Sequence, residues 1–240
     1  MVDRILYTEF ITMSKQLSPL APGIDLVDQV YRRLIDAIVS GHLAPGQRVT
    51  QEDLASQLAV SRQPVLQAMR LLKKESLLLD APGRGVLVAP LDVQRVAQAY
   101  EVRQALDGLA AGLAAQRRAT LPQALFETGR AAVASRSIPA MIEADWAFHM
   151  ALYEASGNPM IADSAALHWP HLHRAMGQVL QSGSLADGVW DEHQAMAEAI
   201  AAGDVTRAQA LILQHTQQAR DHLTGRLNQV LQPQATEPVP

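Results

Sequence analysis

The feature that most narrows the possible folds is the stretch from Leu26 to Pro90, where three helical patterns follow closely and end in two short apolar runs. Leu26, Val30, Leu34 and Ile38 recur at i, i+4 and give a first helix one apolar face. Gly41 closes that helix, and Pro45-Gly46 turns the chain. Thr50-Gln51-Glu52-Asp53 has the form of a capping box, with acidic residues where the helix dipole favours them. A short second helix is expected from Gln51 to Leu58. Ser61 then caps a third helix, and Pro64 falls in its first turn, where a missing N–H costs little. Val65, Met69 and Leu72 offer its buried side, which leaves Arg62, Gln63 and Arg70 exposed or at the edge. Leu77-Leu78-Leu79 and Val86-Leu87-Val88 predict two strands joined by the tight turn Ala81-Pro82-Gly83-Arg84-Gly85.

Helix, short helix, helix and β-ribbon, in that order, are the plan of a winged helix-turn-helix. Residues 24–90 hold 8 Lys/Arg and 7 Asp/Glu, so bulk charge does not announce a nucleic-acid surface. Placement does. Arg62 and Gln63 stand at the N-terminal end of the second helix of the motif, the end that enters a major groove. Arg pairs bidentately with guanine and Gln with adenine. Ser61, with the helix N-terminus behind it, can hold a phosphate, as can Thr50 at the preceding helix start. Arg70 is a further exposed cation, and Arg84-Gly85 at the ribbon tip can reach a backbone or a minor groove. Each feature alone is ordinary for a small helical bundle; their order is what points to DNA.

Three segments resemble the GntR superfamily of bacterial transcription regulators. They are Gly41-His42-Leu43-Ala44-Pro45-Gly46, Val60-Ser61-Arg62-Gln63-Pro64-Val65 and Gly83-Arg84-Gly85-Val86. The chain departs from that pattern twice. Leu66-Gln67 stands where the family often has Arg-Glu, and Glu52 where it often has Arg, both positions that usually face DNA. The resemblance therefore implies operator binding, with an altered operator sequence.

From Leu91 onward there is helical periodicity and no strand alternation. The chain is 48% hydrophobic and only 4% aromatic, so its cores must rest on Leu, Ala, Val and Ile, which suits helices. Breaks at Thr120-Leu121-Pro122, Ser137-Ile138-Pro139, Gly157-Asn158-Pro159, Ser182-Gly183-Ser184 and Gly203-Asp204 divide it into six helices. These are expected at 92–116, 121–135, 138–156, 159–181, 187–202 and 204–230, with Pro170 kinking or breaking the fourth. The fold class is mainly α: a winged helix-turn-helix at 24–90, then an all-α antiparallel bundle at 91–230. Residues 1–23 read as a flexible arm without signal-peptide character, and 231–240 as a flexible tail. There is no cysteine and no apolar run near the roughly 18–20 residues of a membrane span, which together point to a cytoplasmic chain without a membrane partner.

Asp145 and His149 are spaced i, i+4 and share a helix face. His193 and His215 precede and follow the Gly203-Asp204 turn at similar distances, so an antiparallel hairpin brings their imidazoles to one level. One carboxylate and three neutral imidazoles suit Zn²⁺, Ni²⁺, Fe²⁺ or Mn²⁺. The same spacings are equally those of a side-chain hydrogen bond and of core-edge histidines. Arg103 lies on the stripe Val96, Tyr100, Arg103, Asp107, Ala110, Ala114, beside the apolar stripe Val102, Leu106, Leu109, Leu113. A helix buried on both stripes would carry Arg103 inward, where it needs an anion, either Asp107 or a ligand. His168, His171 and His173 are left out of the ligand set, and Trp190 is expected in the core.

Asp145-Trp146-Ala147-Phe148-His149, Ala155-Ser156-Gly157-Asn158-Pro159, Glu192-His193, Gly203-Asp204 and His215 resemble the FCD-type effector domain of the FadR subfamily of GntR regulators. The resemblance implies one divalent metal on Asp145, His149, His193 and His215, and an effector carboxylate clamped by Arg103 within Tyr100-Glu101-Val102-Arg103. It also implies a homodimer whose operator affinity answers to a small organic acid. The alternative is a metal-dependent enzyme acting on small carboxylates, with the helix-turn-helix as an accessory. Glu192 is its only evident general base, and no His-Glu-x-x-His is present. A purely structural DNA-binding scaffold would leave Arg103 and the four donors without a role.

Overall fold

Two separate hydrophobic cores organise the chain, one built from residues between Val30 and Val88 and one from residues between Val96 and Leu227. The computed structural model describes residues 26–183 and 188–232. The expected arm at 1–23, the expected tail beyond Gln232 and the expected start of a helix at residue 187 lie outside the described residues.

The first core is closed by helices α1 (Leu26–Val39), α2 (Gln51–Gln57) and α3 (Arg62–Lys74), with strands β1 (Arg48–Val49), β2 (Leu78–Asp80) and β3 (Val86–Val88). Val30, Leu34 and Ile38 face inward as their spacing predicts, whereas Leu26 stays exposed at the helix start. The strands pair antiparallel in the order β1-β3-β2. β1 is an addition to the predicted ribbon: Arg48 and Val49 pair with Leu87 and Val86. Two residues have no readable alternation, so this strand is invisible as pattern. The turn between β2 and β3 needs Gly85, which sits at φ +89° where a Cβ would lie 2.5 Å from the Val49 carbonyl oxygen.

The second core is entirely helical among the described residues. Its elements are α4 (Val93–Gln116), α5 (Gln123–Ser135), α6 (Ile138–Ser156), α7 (Pro159–Ala166), α8 (Trp169–Gln181), α9 (Val189–Ala202) and α10 (Val205–Leu231). The fourth expected helix, 159–181, is two helices parted at Leu167-His168, with Pro170 in the first turn of the second. Pro170 lacks an N–H, which costs nothing in the first turn of a helix, so it sits at the start of α8 instead of inside a longer helix. Aspartates and serines cap as expected for helix starts: Asp92, Ser137 and Asp204 accept from backbone N–H groups of α4, α6 and α10. Gly129 on α5 lies against the Trp190 ring, which any Cβ there would overlap.

On α4 one expectation is corrected. Val96, Tyr100, Arg103, Asp107, Ala110 and Ala114 form the buried face, but Val102 and Leu109 of the neighbouring stripe are 43% and 48% exposed. The helix is buried against α6 and α10 on one broad side only, which is enough to carry Arg103 inward. No helix among the described residues is long and apolar enough to cross a membrane.

Candidate functional site

Most of the residues expected to face DNA lie at the surface of the first core. Ser61, Arg62, Gln63 and Arg70 of α3 are exposed, as is Arg84, while Thr50 and Gly85 are partly covered. Thr50 caps α2, accepting from the Asp53 N–H at 3.1 Å, and its hydroxyl donates to the Asp53 carboxylate at 2.7 Å. Ser61 occupies the cap position of α3, but its hydroxyl makes no capping hydrogen bond. The third residue of that helix is Pro64, which has no N–H to offer. The hydroxyl expected to cap is thereby left for another acceptor or donor. Arg48 braces the wing: its Nε donates to the Arg84 carbonyl at 2.9 Å and its Nη2 to the Pro82 carbonyl.

Glu52, one of the two departures, has a definite partner. Its carboxylate pairs with the Arg62 guanidinium, and both side chains are well exposed. If Arg62 reads a base as its position in the motif predicts, this acid would compete with DNA for it. Replacing it should free Arg62 and remove a like charge facing phosphate. We expect Glu52→Gln to tighten duplex binding about two- to fivefold at 0.15 M salt, the range of an exposed ion pair, measured by fluorescence anisotropy. Unchanged or weaker binding would mean that the pair holds Arg62 in its reading position.

In the second core, α6, α9 and α10 bring Asp145, His149, His193 and His215 together, with one ligand atom from each lying within 4.8 Å of the others. His193 Nε2 is 3.3 Å from His215 Nε2 and 3.8 Å from Asp145 Oδ1, and His149 Nε2 is 3.9 Å from Asp145 Oδ1. Bonds of about 2.0–2.2 Å to one ion allow ligand atoms up to roughly 4.2 Å apart. These three separations already lie within that limit. The hairpin expectation for His193 and His215 holds, since α9 and α10 meet at Gly203 with the rings at one level.

The surroundings fix the rings. His193 stacks on Phe148 with centroids 3.8 Å apart. His215 Nδ1 donates to Glu192 at 2.7 Å, so Glu192 orients a ring rather than standing free as a base. His149 Nδ1 faces Asp107 Oδ2 at 3.6 Å. A carboxylate behind an imidazole fixes its tautomer and raises its basicity. Burial pushes the His149 ring below its ordinary pKa, with Arg103 adding to the effect, and holds His193 well below. Both stay neutral near pH 7, as ligation requires.

Arg103 is 3% exposed and serves several partners. Its Nε donates to Asp107 at 3.2 Å, its Nη2 to His149 Nε2, and its guanidinium lies 4.7 Å from the Trp169 ring centre. Asp107 also accepts from Tyr153 at 2.6 Å and Thr216 at 3.3 Å. Burial alone would raise the Asp107 carboxyl, but His149 and Arg103 overcome it and hold the group below the usual carboxylate range. The structural pairing with Asp107 is thus present, and Arg103 also lines a cavity of about 320 Å³ together with Asp145 and His215.

The sequence reading does not include Tyr153, Thr216 or the orienting role of Asp107. A signal existed for Tyr153: Asp145, His149 and Tyr153 run i, i+4, i+8 along one face of α6. His171, left out of the ligand set, donates from Nε2 to the Glu75 carbonyl at 2.9 Å. His173 packs edge-on to Trp146 and Trp169, and burial lowers it to about 4.

A winged helix-turn-helix joined to a helical domain with its own cavity is the build of a DNA-binding transcription regulator. The sequence matches the gntR family of bacterial regulatory proteins over residues 26–88 and the FCD domain over residues 98–218. The chain belongs to the GntR family, in the group that carries an FCD domain. It is 29% identical over 199 residues to an HTH-type transcriptional regulator in an unstable DNA locus of Streptomyces ambofaciens, covering 81% of this chain and 83% of the relative. It is 28% identical over 226 residues to the HTH-type transcriptional regulator LutR of Bacillus subtilis, covering 81% and 100%. The fold is that of Escherichia coli McbR/YncC, with TM-score 0.72 at 22% identity over 84% of this chain and 98% of that one. A GntR regulator from Rhodococcus sp. RHA1 has TM-score 0.70 at 22% identity, covering 83% and 97%. These relatives are transcriptional regulators, so the accessory-domain enzyme is set aside.

Proposed function

We propose that this regulator binds operator DNA as a homodimer in the cytoplasm, and that a small organic acid at a divalent metal site controls its affinity. The reader is residues 24–90 and the effector domain 91–230. The observation that carries the reading is the convergence of Asp145, His149, His193 and His215 beside a buried arginine at the wall of a cavity. The donor set suits Zn²⁺, Ni²⁺, Mn²⁺ or Fe²⁺. When bound, the metal would supply a Lewis-acidic anchor for a carboxylate.

Arg103 then has a second task. Its Nη2 now donates to His149 Nε2, the nitrogen that ligation would use. One lone pair cannot serve both, so loading the site frees the guanidinium to clamp an incoming carboxylate. Thr50, Ser61, Arg62, Gln63, Arg70, Arg84 and Gly85 make the DNA surface, with Arg62 and Gln63 reading bases and the others positioning on phosphate and groove.

α8 links the two ends. Trp169 packs under Arg103, and Met176, Val179 and Leu180 line the cavity. From the same helix His171 donates to the Glu75 carbonyl at 2.9 Å, and Arg174 to the Ala89 carbonyl. A ligand that shifts α8 therefore favours one placement of the reader over another, which is the linkage regulation requires. The reading is tested on a duplex selected from a random pool by the metal-loaded protein. A carboxylate should change its dissociation constant at least fivefold, and Arg103→Gln should abolish the response. A response that survives in Arg103→Gln would refute the clamp.

The stripe left open on α4 supports the dimer. Val102, Leu109 and, from α10, Leu213 are exposed, with Leu106 and Leu113 half-buried beside them. An apolar strip of this kind is what a second copy would cover. Leu109→Glu should raise the dimer dissociation constant at least tenfold, read by analytical ultracentrifugation; an unchanged constant would place the interface elsewhere.

A further inference from the structure

We infer that the cavity selects a monocarboxylic acid with an apolar body, aliphatic or aromatic, over sugar acids and dicarboxylates. The inference rests on the proposed effector reading and narrows it. Among the described residues that line the cavity, Arg103 is the single Lys or Arg, beside the acids Asp145 and Glu192. One carboxylate can be met by Arg103 and the metal ligands. A second would find two acids and, among the described lining residues, no further Lys or Arg.

The walls carry the other half of the argument. Met176, Val179 and Leu180 come from one face of α8, Met141 from the turn of α6 before Asp145, and Leu223 from α10. Away from the anchored end, the described lining offers polar groups only on Gln218, His222 and the Trp190 indole. A polyhydroxylated acid would bury several hydroxyls against methyl and thioether groups that cannot accept or donate, and each unpaired hydroxyl weakens binding. An alkyl or phenyl body gains from the same surface. Methionine side chains adapt to either shape.

The test is calorimetric titration of the full chain, loaded with one equivalent of Zn²⁺, with propanoate, butanoate, hexanoate, phenylacetate, succinate and gluconate. Affinity should rise about fourfold per methylene from propanoate to hexanoate. Succinate and gluconate should bind at least tenfold more weakly than hexanoate. Leu180→Asn should flatten the chain-length series, whereas Arg103→Gln should weaken every acid alike. Tighter binding of gluconate or succinate than of hexanoate would overturn the inference and leave the effector reading intact. No heat with any acid would sink both.

Discussion

Asp107→Ala is expected to cost about 3–5 kcal/mol of stability, the range for removing one partner of a buried ion pair. For a chain of this size that lowers the thermal midpoint by roughly 6–20 °C. Asp107 is fully buried, and it holds Arg103, Tyr153 and Thr216 while facing His149. Without it the buried Arg103 cation loses the carboxylate it is hydrogen-bonded to, and the Tyr153 hydroxyl loses its acceptor, while Thr216 keeps the Ile212 carbonyl at 2.7 Å. Asp107→Asn keeps an acceptor oxygen but not the charge, so its loss should be smaller. The contrast is Asp191→Ala, which breaks an exposed pair with Arg130 at 3.0 Å and should cost less than about 1 kcal/mol. Differential scanning calorimetry of the three variants decides the matter. Equal small losses would show that Arg103 finds another anion or reaches water.

His193→Ala should empty the metal site. Protein purified without an affinity tag is expected to carry one equivalent of metal, and the variant under about a tenth of that, because even residues behind a ligand change metal affinity about 10–100-fold. Glu192→Gln, which disturbs only the orientation of His215, should fall in that intermediate range. The melting temperature follows. A site filled to 100 times its dissociation constant adds about 2.7 kcal/mol, which chelation removes from wild type and not from His193→Ala. Inductively coupled plasma mass spectrometry gives the stoichiometry. A wild-type chain with no metal, and none taken up from added Zn²⁺, Ni²⁺ or Mn²⁺, would refute the assignment. The His193 ring would then be a packing group stacked on Phe148.

Much of this was legible in the sequence because it rests on local rules. Val30, Leu34 and Ile38 announce α1 by spacing, and Asp145 with His149 announce a shared face by the helical period. The His193–His215 juxtaposition follows from counting residues either side of Gly203. What resisted reading depends on neighbours distant in sequence. β1 exists because β3 is there to pair with it. The exposure of Val102 and Leu109 depends on which sides of α4 the packed helices occupy. Ser61 looks like a cap, yet Pro64 three residues later removes the donor a cap would use, a conflict visible in sequence only when both rules are applied together. In sequence Glu52 shows only as a departure from the family's arginine; its pairing with Arg62 depends on α2 and α3 lying side by side.

The joint between the domains has a consequence for how such a regulator can diversify. His171 and Arg174 hold the reader by the carbonyl groups of Glu75 and Ala89, which every amino acid possesses. Side chains at those two reader positions can change without removing the acceptors. A reader from a distant family member, grafted at Pro90, should dock on the same two donors, so that one sensing domain can be handed from operator to operator over evolutionary time.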